Sequence, residues 1–143
     1  MAQRIVTCGS CATKNRVPAA ASGVPRCASC KAWLPWIVDA TDASFDTDVA
    51  TKALVLVDLW AAWCGPCRMV APVLEQLASR HAGRLKVVKV DVDANRALSA
   101  RFQAQSIPLL VVLSDGEVVE RIVGAQPFAA LDRAIAPHLA STA

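Results

Sequence analysis

The chain has 143 residues, of which 55% are hydrophobic and 19% are charged, a composition that excludes global disorder and supplies a sizeable core. This length predicts one domain, or one domain with a small addition. Residues 1–35 carry five basic residues and no acidic residue, whereas residues 36–143 carry 10 basic and 12 acidic residues, and together they give the net charge of +3. The uneven charge predicts two modules, over residues 1–35 and 36–143.

The sequence shows no targeting or membrane segment. No uninterrupted apolar run approaches the roughly 18 residues that a bilayer requires, and no hydrophobic signal core precedes Cys8. We therefore expect a soluble cytoplasmic protein with no membrane partner. The basic segment would suit nucleic acid, but Trp33 is the one aromatic residue before residue 36, so stacking partners for bases are lacking. We prefer the interpretation that the cations offset the charge of a thiolate-rich metal site.

All six cysteines lie in three Cys-x-x-Cys pairs, and the first two pairs predict a metal site. Cys8/Cys11 and Cys27/Cys30 are separated by fifteen residues, which fits the spacing of a four-thiolate zinc site. Two intervening residues let a tight turn aim both sulfurs of a pair at one tetrahedral ion. A closed shell of four thiolates leaves no open position, so the zinc would be structural. Two redox disulfides, or free thiols, are the alternative.

The segment around these cysteines holds few large apolar residues, so the metal would take the place of a hydrophobic core. We predict a short strand at Ile5–Val6 and an exposed loop at Ala19–Pro25. The turn after each pair often requires a residue with positive φ, and the chain has Ala12 and Lys31 there rather than glycine. Residues 31–36 are predicted to form a linker.

The rest of the chain alternates between strand and helix patterns. The predicted strands cover 37–40, 53–60, 85–92, 109–113 and 118–123, and the predicted helices cover 44–50, 67–81, 94–102 and 128–139. Thr41 or Asp42 is expected to cap the first helix, and the second helix is expected to be kinked at Pro72 and ended by Gly83. A turn at Asp115-Gly116 is expected to join the last two strands. The apolar run over 53–60 predicts a central strand buried on both faces. This order predicts an α/β fold with a mixed sheet between helices.

The third cysteine pair lies where a strand turns into a helix. Cys64 is expected at the helix start, where free N–H groups and the helix dipole stabilise a thiolate. Cys67 lies on the same helical face, within reach of a disulfide with Cys64. Pro66 is tolerated in a first turn, where no N–H donor is needed. We interpret the pair as a redox dithiol, with two buried structural cysteines as the alternative.

The segment Trp63-Cys64-Gly65-Pro66-Cys67 resembles the active site of the thioredoxin family. With the preceding double Cys-x-x-Cys segment, the chain is similar to the family's zinc-containing thioredoxin 2 type. The resemblance implies the thioredoxin fold, a mixed five-stranded sheet between helices, with a small N-terminal zinc ribbon. It also implies that Cys64 attacks a substrate disulfide and that Cys67 resolves the mixed disulfide. Trp63, Gly65 and Pro66 would border the dithiol and contact the substrate.

Asp58 is a lone carboxylate in the apolar strand before the dithiol, and burial there should raise its pKa. The resemblance makes Asp58 the proton acceptor for Cys67 and pairs it with Lys89. The alternatives are an aspartate that reaches solvent at the strand end and an ordinary exposed lysine.

The resemblance makes Ile107-Pro108 a cis-proline pair that faces the dithiol, with the backbone of Ile107 binding an extended substrate peptide. It makes Gly124 the glycine that lets substrate approach closely. A trans proline and a simple glycine turn are the alternatives. Leu109 departs from the threonine that thioredoxins usually carry, and this departure bears on substrate preference.

The activity implied by the resemblance is that of a protein-disulfide reductase without a bound organic cofactor. It would reduce protein disulfides and be re-reduced by an NADPH-dependent thioredoxin reductase. A disulfide oxidase or isomerase is one alternative, and a reduction potential would separate it from a reductase. A binding or redox-sensing protein, in which the zinc module does the work, is the other.

Overall fold

A computed structural model describes residues 3–21 and 23–139 of the chain. Its strands are β1 Gln3–Thr7, β2 Lys14–Pro18, β3 Trp36–Asp39, β4 Leu54–Trp60, β5 Leu85–Asp91, β6 Leu109–Ser114 and β7 Glu117–Val123, and its helices are α1 Phe45–Asp48, α2 Gly65–Arg80, α3 Arg96–Arg101 and α4 Phe128–Leu139. The strands and helices predicted after residue 36 are all present, with small differences at their ends. None of the described helices is long and apolar enough to cross a membrane.

Strands β3 to β7 form one mixed sheet in the order β3-β5-β4-β6-β7. β5 is parallel to both β3 and β4, while β4 and β6, and β6 and β7, are antiparallel. β4 is the central strand, and no residue from Leu54 to Leu59 is more than 2% exposed. The predicted mixed five-stranded sheet with a buried central strand is confirmed.

The side chains of β4 alternate between two cores because successive residues of a strand point to opposite faces. Leu54 and Leu56 pack with α2 and α4, through Leu74, Leu77, Leu131 and Ile135. Val55, Val57 and Leu59 pack in the other core with Phe45, Leu98 and Phe102, from α1 and α3 or directly after α3. Helices therefore cover both faces of the sheet.

The N-terminal segment packs on the α1 and α3 side and shares that core. Cys8, Val17, Cys27 and Leu34 are buried in the same cluster as Trp36 and the sheet residues. The ammonium of Lys86, buried in β5, donates hydrogen bonds to the carbonyl oxygens of Ala19 (2.6 Å) and Asp48, and it lies 4.0 Å from the centre of the Trp36 ring. The Trp36 indole N–H donates to the carbonyl oxygen of Pro18 (2.9 Å). These contacts fix the segment to the sheet.

Two predictions for this segment need correction. Ala19 is buried, and Ala21 and Val24 are partly buried, so the predicted exposed loop at Ala19–Pro25 is wrong for these residues; Ser22 lies outside the described residues. The predicted linker over 31–36 contains the fully buried side chains of Leu34 and Trp36. Both corrections have one cause: the sheet supplies apolar surface that the short segment lacks.

The helix cap was also predicted at the wrong residue. Ser44, rather than Thr41 or Asp42, is the N-cap of α1. The Asp42 carboxylate instead accepts hydrogen bonds from the backbone N–H groups of Leu98 (2.9 Å) and Ala97 (3.3 Å). Asp42 thus caps α3, more than fifty residues away in the sequence, because the free N–H groups at a helix start can donate to any well-placed carboxylate.

Candidate functional site

The Cys64 and Cys67 side chains form a disulfide at the N-terminus of α2. Cys64 is the N-cap residue, and its sulfur accepts a hydrogen bond from the backbone N–H of Cys67 (3.2 Å). Pro66 lies in the first turn, where its missing N–H costs no hydrogen bond. The expected strand-to-helix placement of the dithiol is confirmed. When the bond is reduced, the helix N-terminus favours negative charge on the Cys64 sulfur.

The surface beside the disulfide is apolar and exposed. Trp63 is 69% exposed and Met69 is 72% exposed, whereas Cys64 and Cys67 are each 4% exposed. The Trp63 indole N–H donates to a carboxylate oxygen of Asp93 (2.8 Å). Asp93 was missed by the sequence analysis, because no local pattern links residues thirty positions apart. The hydrogen bond holds the Trp63 ring beside the dithiol.

The peptide bond between Ile107 and Pro108 is cis, as the resemblance implied. Ile107 packs against Cys64 and Cys67, and the Cys64 sulfur lies 3.9 Å from the Ile107 carbonyl oxygen. Leu109, which follows, is 1% exposed and belongs to the core. Its departure from threonine therefore changes the core below the site and leaves the exposed face unaltered.

Gly124 lies next to this cis peptide. Its backbone N–H donates to the carbonyl oxygen of Pro108 (2.9 Å), and its φ is +91°. A Cβ at Gly124 would meet no other atom within 4 Å. The backbone conformation, rather than a lack of space, therefore favours glycine at this position.

Asp58 and Lys89 face each other on β4 and β5, where they are direct partners in the strand register. The Lys89 ammonium lies 3.7 Å from a carboxylate oxygen of Asp58, and Asp58 is 1% exposed. Within the described part of the chain, neither carboxylate oxygen of Asp58 accepts a hydrogen bond. Burial raises the pKa of Asp58 to about 6, and the charge of Lys89 opposes this shift.

An open cleft of about 900 Å³ adjoins the dithiol. Trp63 and Ile107 line it together with Asp93, Arg96 and Arg121. The two arginines are exposed and belong to α3 and β7. The walls of the cleft are mostly polar.

The four N-terminal cysteines converge, as their spacing predicted. All four sulfurs lie within 4.8 Å of one another; the Cys8 and Cys30 sulfurs are 3.6 Å apart, and the Cys11 and Cys27 sulfurs are 3.5 Å apart. A tetrahedral ion with bonds of about 2.3 Å to sulfur requires sulfurs separated by about 3.8 Å. The donor set therefore fits one tetrahedral metal ion that prefers thiolate ligands.

The two turns that carry these cysteines have the same geometry. In the first, Ala12 N–H bonds to the Cys8 carbonyl (2.9 Å), and in the second, Lys31 N–H bonds to the Cys27 carbonyl (3.0 Å). Ala12 and Lys31 have φ values of 64° and 68°. Both non-glycine residues thus adopt the left-handed conformation that such turns require, although it costs about 1–2 kcal/mol per residue.

The Lys86 and Trp36 contacts of this N-terminal segment lie at the end of the sheet opposite the dithiol, whereas Arg4 of β1 pairs with Asp39 at the other end of β3 (2.9 Å). β4 and β5 run parallel from Leu54 and Leu85 to Trp60 and Asp91. Lys86 lies at the beginning of β5, and the dithiol follows the end of β4. Seven residues of strand span about 20 Å. The Lys86 contact and the dithiol therefore lie at opposite ends of the sheet.

Comparison with known proteins identifies residues 36–137 with the family model described as Thioredoxin. The thioredoxin of Bacillus subtilis (strain 168) is 50% identical over 103 residues, which are 72% of this chain and 98% of that protein. The thioredoxins of Staphylococcus saprophyticus and Staphylococcus haemolyticus are 48% and 47% identical over the same shares. The family match begins at the first residue of β3, so the four-cysteine segment lies outside it.

Proposed function

The chain belongs to the thioredoxin family of protein-disulfide oxidoreductases, and we propose that it works in the reducing direction, on disulfides of protein substrates. In this proposal an NADPH-dependent thioredoxin reductase returns the Cys64–Cys67 disulfide to the dithiol, and the cycle takes place in the cytoplasm. The observation that carries the proposal is the Cys64–Cys67 disulfide at the start of α2, beside the cis peptide of Ile107 and Pro108.

Reduction proceeds in two exchange steps. The Cys64 thiolate attacks one sulfur of the substrate disulfide, and the other substrate sulfur leaves as a thiolate and takes up a proton. The Cys67 thiolate then attacks the Cys64 sulfur, which forms the Cys64–Cys67 disulfide and releases the second substrate thiolate. Two electrons pass from the dithiol to the substrate. Cys64 is the attacking residue because it lies at the helix N-terminus.

Asp58 receives the proton of Cys67 in the second step. Its pKa of about 6 is close to the working pH, so Asp58 can take up and release a proton at little cost. Lys89 limits the rise of that pKa and keeps a fraction of Asp58 ionised as the proton acceptor. The support for both roles is the burial of Asp58 and the charge that faces it.

Substrate binds as an extended peptide across the face of the dithiol. Trp63 supplies exposed apolar surface, and the backbone of Ile107 supplies hydrogen-bonding groups beside Cys64. Gly65 and Gly124 have no side chain, and the space above each is open. Pro66 is exposed in the turn between the cysteines. A peptide that crosses these residues continues into the adjoining cleft.

We also propose zinc for the four-cysteine cluster. Zinc bound by Cys8, Cys11, Cys27 and Cys30 supplies a fixed point that joins the two cysteine turns, in addition to the core that the segment shares with the sheet. The four sulfurs lie within 4.8 Å of one another, and this convergence supports one shared ion. The division into a zinc module over 1–35 and a catalytic domain over 36–143 belongs to the same proposal.

The test of the reductase is NADPH consumption with a thioredoxin reductase and insulin, for the intact chain and for Cys64→Ser. We expect turnover with the intact chain and none with Cys64→Ser. A parallel assay with dithiothreitol as electron donor separates failure of the partner from failure of the dithiol. Turnover by Cys64→Ser would contradict the mechanism. A reduction potential well above those of reducing members would indicate an oxidase or isomerase instead.

A further inference from the structure

Asn15 of β2 is a buried polar residue with no part in the proposed mechanism. It is 7% exposed and lies between the two cysteine pairs in the sequence. Its side-chain oxygen accepts a hydrogen bond from the backbone N–H of Ala28 (2.9 Å). Its side-chain nitrogen donates to the carbonyl oxygen of Thr13 (3.1 Å) and lies 3.6 Å from the Cys27 sulfur. One amide group therefore connects both cysteine turns.

The orientation of this amide follows from its partners. The N–H of Ala28 needs an acceptor, so it must face the oxygen of Asn15; the carbonyl of Thr13 needs a donor, so it must face the nitrogen. The nitrogen carries two hydrogens, and with one directed at Thr13, the other is available to the Cys27 sulfur. An N–H that points at a thiolate makes a charge-assisted hydrogen bond.

We propose that Asn15 is a positioning residue of the four-cysteine metal site. Its oxygen holds Ala28, and with it the turn that presents Cys27, while its nitrogen donates a hydrogen bond to the Cys27 sulfur. Groups that bond to metal ligands in this way orient the ligand and set its donor strength, and their loss typically weakens metal binding about 10–100-fold. This inference rests on the proposal that the cluster holds a metal, and it adds a residue outside the cysteine pattern.

The sulfur contact can be separated from the backbone contact by substitution. Asn15→Ala removes both. Asn15→Asp has nearly the same shape and keeps an oxygen for the N–H of Ala28, but it loses the donor to Thr13 and Cys27. A residue that only holds the N–H of Ala28 would tolerate aspartate far better than alanine, whereas a donor to Cys27 is lost in both.

The experiment uses cobalt(II) and zinc(II) on the full chain, in a background with Cys64→Ser and Cys67→Ser so that only the cluster thiols remain. Cobalt gives a thiolate-to-metal absorption band, and zinc displaces it, which yields both affinities. We expect Asn15→Ala and Asn15→Asp to weaken metal binding about 10–100-fold. In Asn15→Ala, which adds no charge beside the sulfur, the band should move to longer wavelength, because a sulfur without its N–H donor holds its lone pairs less tightly.

Asn95 provides a matched control. It is also 7% exposed, and its side chain accepts from Asp42 N–H (2.9 Å) and donates to the Asp91 carbonyl (3.1 Å), remote from the cluster. Asn95→Ala should leave cobalt affinity and spectrum unchanged. Unchanged affinity in either variant, or an unshifted band in Asn15→Ala, would overturn the proposal. A chain with Asn15 intact that binds no cobalt would overturn the metal site itself, which is a separate result.

Discussion

Lys89 lies directly opposite Asp58 on the neighbouring parallel strand, and its ammonium is 3.7 Å from the carboxylate, too far for a hydrogen bond. The lysine is 19% exposed at its side chain and Asp58 is 1% exposed, so the pair connects solvent with the interior of the sheet. A buried carboxylate with only this partner is unfavourable when ionised. The pair therefore affects both the free energy of unfolding and the proton transfer proposed for the dithiol.

The first prediction concerns Asp58→Asn and the dependence of stability on pH. The pKa of Asp58 is about 6 in the folded chain, above the value of about 3.9 in an unfolded chain, so the folded state binds more protons between these values. Stability should therefore fall as pH rises from about 4 to about 6. At pH 8, Asp58→Asn should be more stable than the parent by up to about 3 kcal/mol.

Urea unfolding of the oxidised protein at pH 4 and pH 8 measures this effect, and the difference between the two proteins should nearly vanish at pH 4. Asp46→Asn is the control, since Asp46 is exposed and pairs with Arg101 on the surface. It should change stability little at either pH. Equal stabilisation by Asp58→Asn at both pH values would contradict the assignment.

The second prediction concerns Lys89→Gln. The charge of Lys89 lowers the pKa of Asp58, so its removal should raise that pKa further. The pH at which insulin reduction reaches half its maximum should move upward by a similar amount, if Asp58 is the proton acceptor. Carboxyl carbon NMR of Asp58 gives the pKa directly. A raised pKa with an unmoved activity profile would exclude the proton-acceptor role.

The third prediction concerns Gly83→Ala. A Cβ at Gly83 would lie 2.8 Å from ring atoms of Trp33, and Arg26 stacks on the same ring with its guanidinium 3.8 Å from the ring centre. Trp33 cannot move away without breaking its contact with Arg26. The substitution should therefore destabilise the protein by about 2–4 kcal/mol, a figure that includes the strain of an alanine at positive φ.

Gly116→Ala is the matched control for this change. Gly116 also has a positive φ, +81° against +91° for Gly83, but a Cβ there would meet no atom within 4 Å. Gly116→Ala should lower the free energy of unfolding by only about 1 kcal/mol. Thermal unfolding followed by tryptophan fluorescence measures both variants. Equal losses would show that the Trp33 contact contributes nothing to the attachment of the N-terminal segment.

The fourth prediction concerns metal removal. Cys8 and Cys27 are buried in the same core as residues of β4 and β5, so the metal should stabilise the catalytic domain as well as the N-terminal segment. Adding a chelator should lower the midpoint of thermal unfolding of the whole chain, and added zinc should restore it in proportion to the logarithm of its free concentration. Loss of N-terminal structure with an unchanged midpoint for the sheet would contradict this coupling.

The fold and the cysteine sites could be predicted from the sequence where the signal is local. The apolar run over 53–60, the turn at Asp115-Gly116 and the two residues between the cysteines of each pair are patterns of a few residues, and the structure confirms the strand, the turn and the convergence of sulfurs. β2 escaped prediction because its inward residues, Asn15 and Val17, form too short and too polar an alternation.

The features that were missed depend on residues far apart in the chain. Asp42 caps α3, Asp93 holds Trp63, and Lys86 reaches Ala19 across 67 positions. A hydrogen bond between distant residues leaves no periodicity in either segment, because any donor and acceptor that the fold brings together will suffice. The role of Asn15 likewise depends on distant residues, because its hydrogen bonds form only when both cysteine turns are in place.

The central position of β4 has a mechanical consequence. A substrate joined to Cys64 by a mixed disulfide pulls on the chain directly after β4, which is hydrogen-bonded along its length to β5 and β6. Force along that strand loads all these bonds in shear at once, rather than opening them one after another. A protein whose disulfide is under tension can therefore be held through a mixed disulfide without the thioredoxin domain being pulled apart.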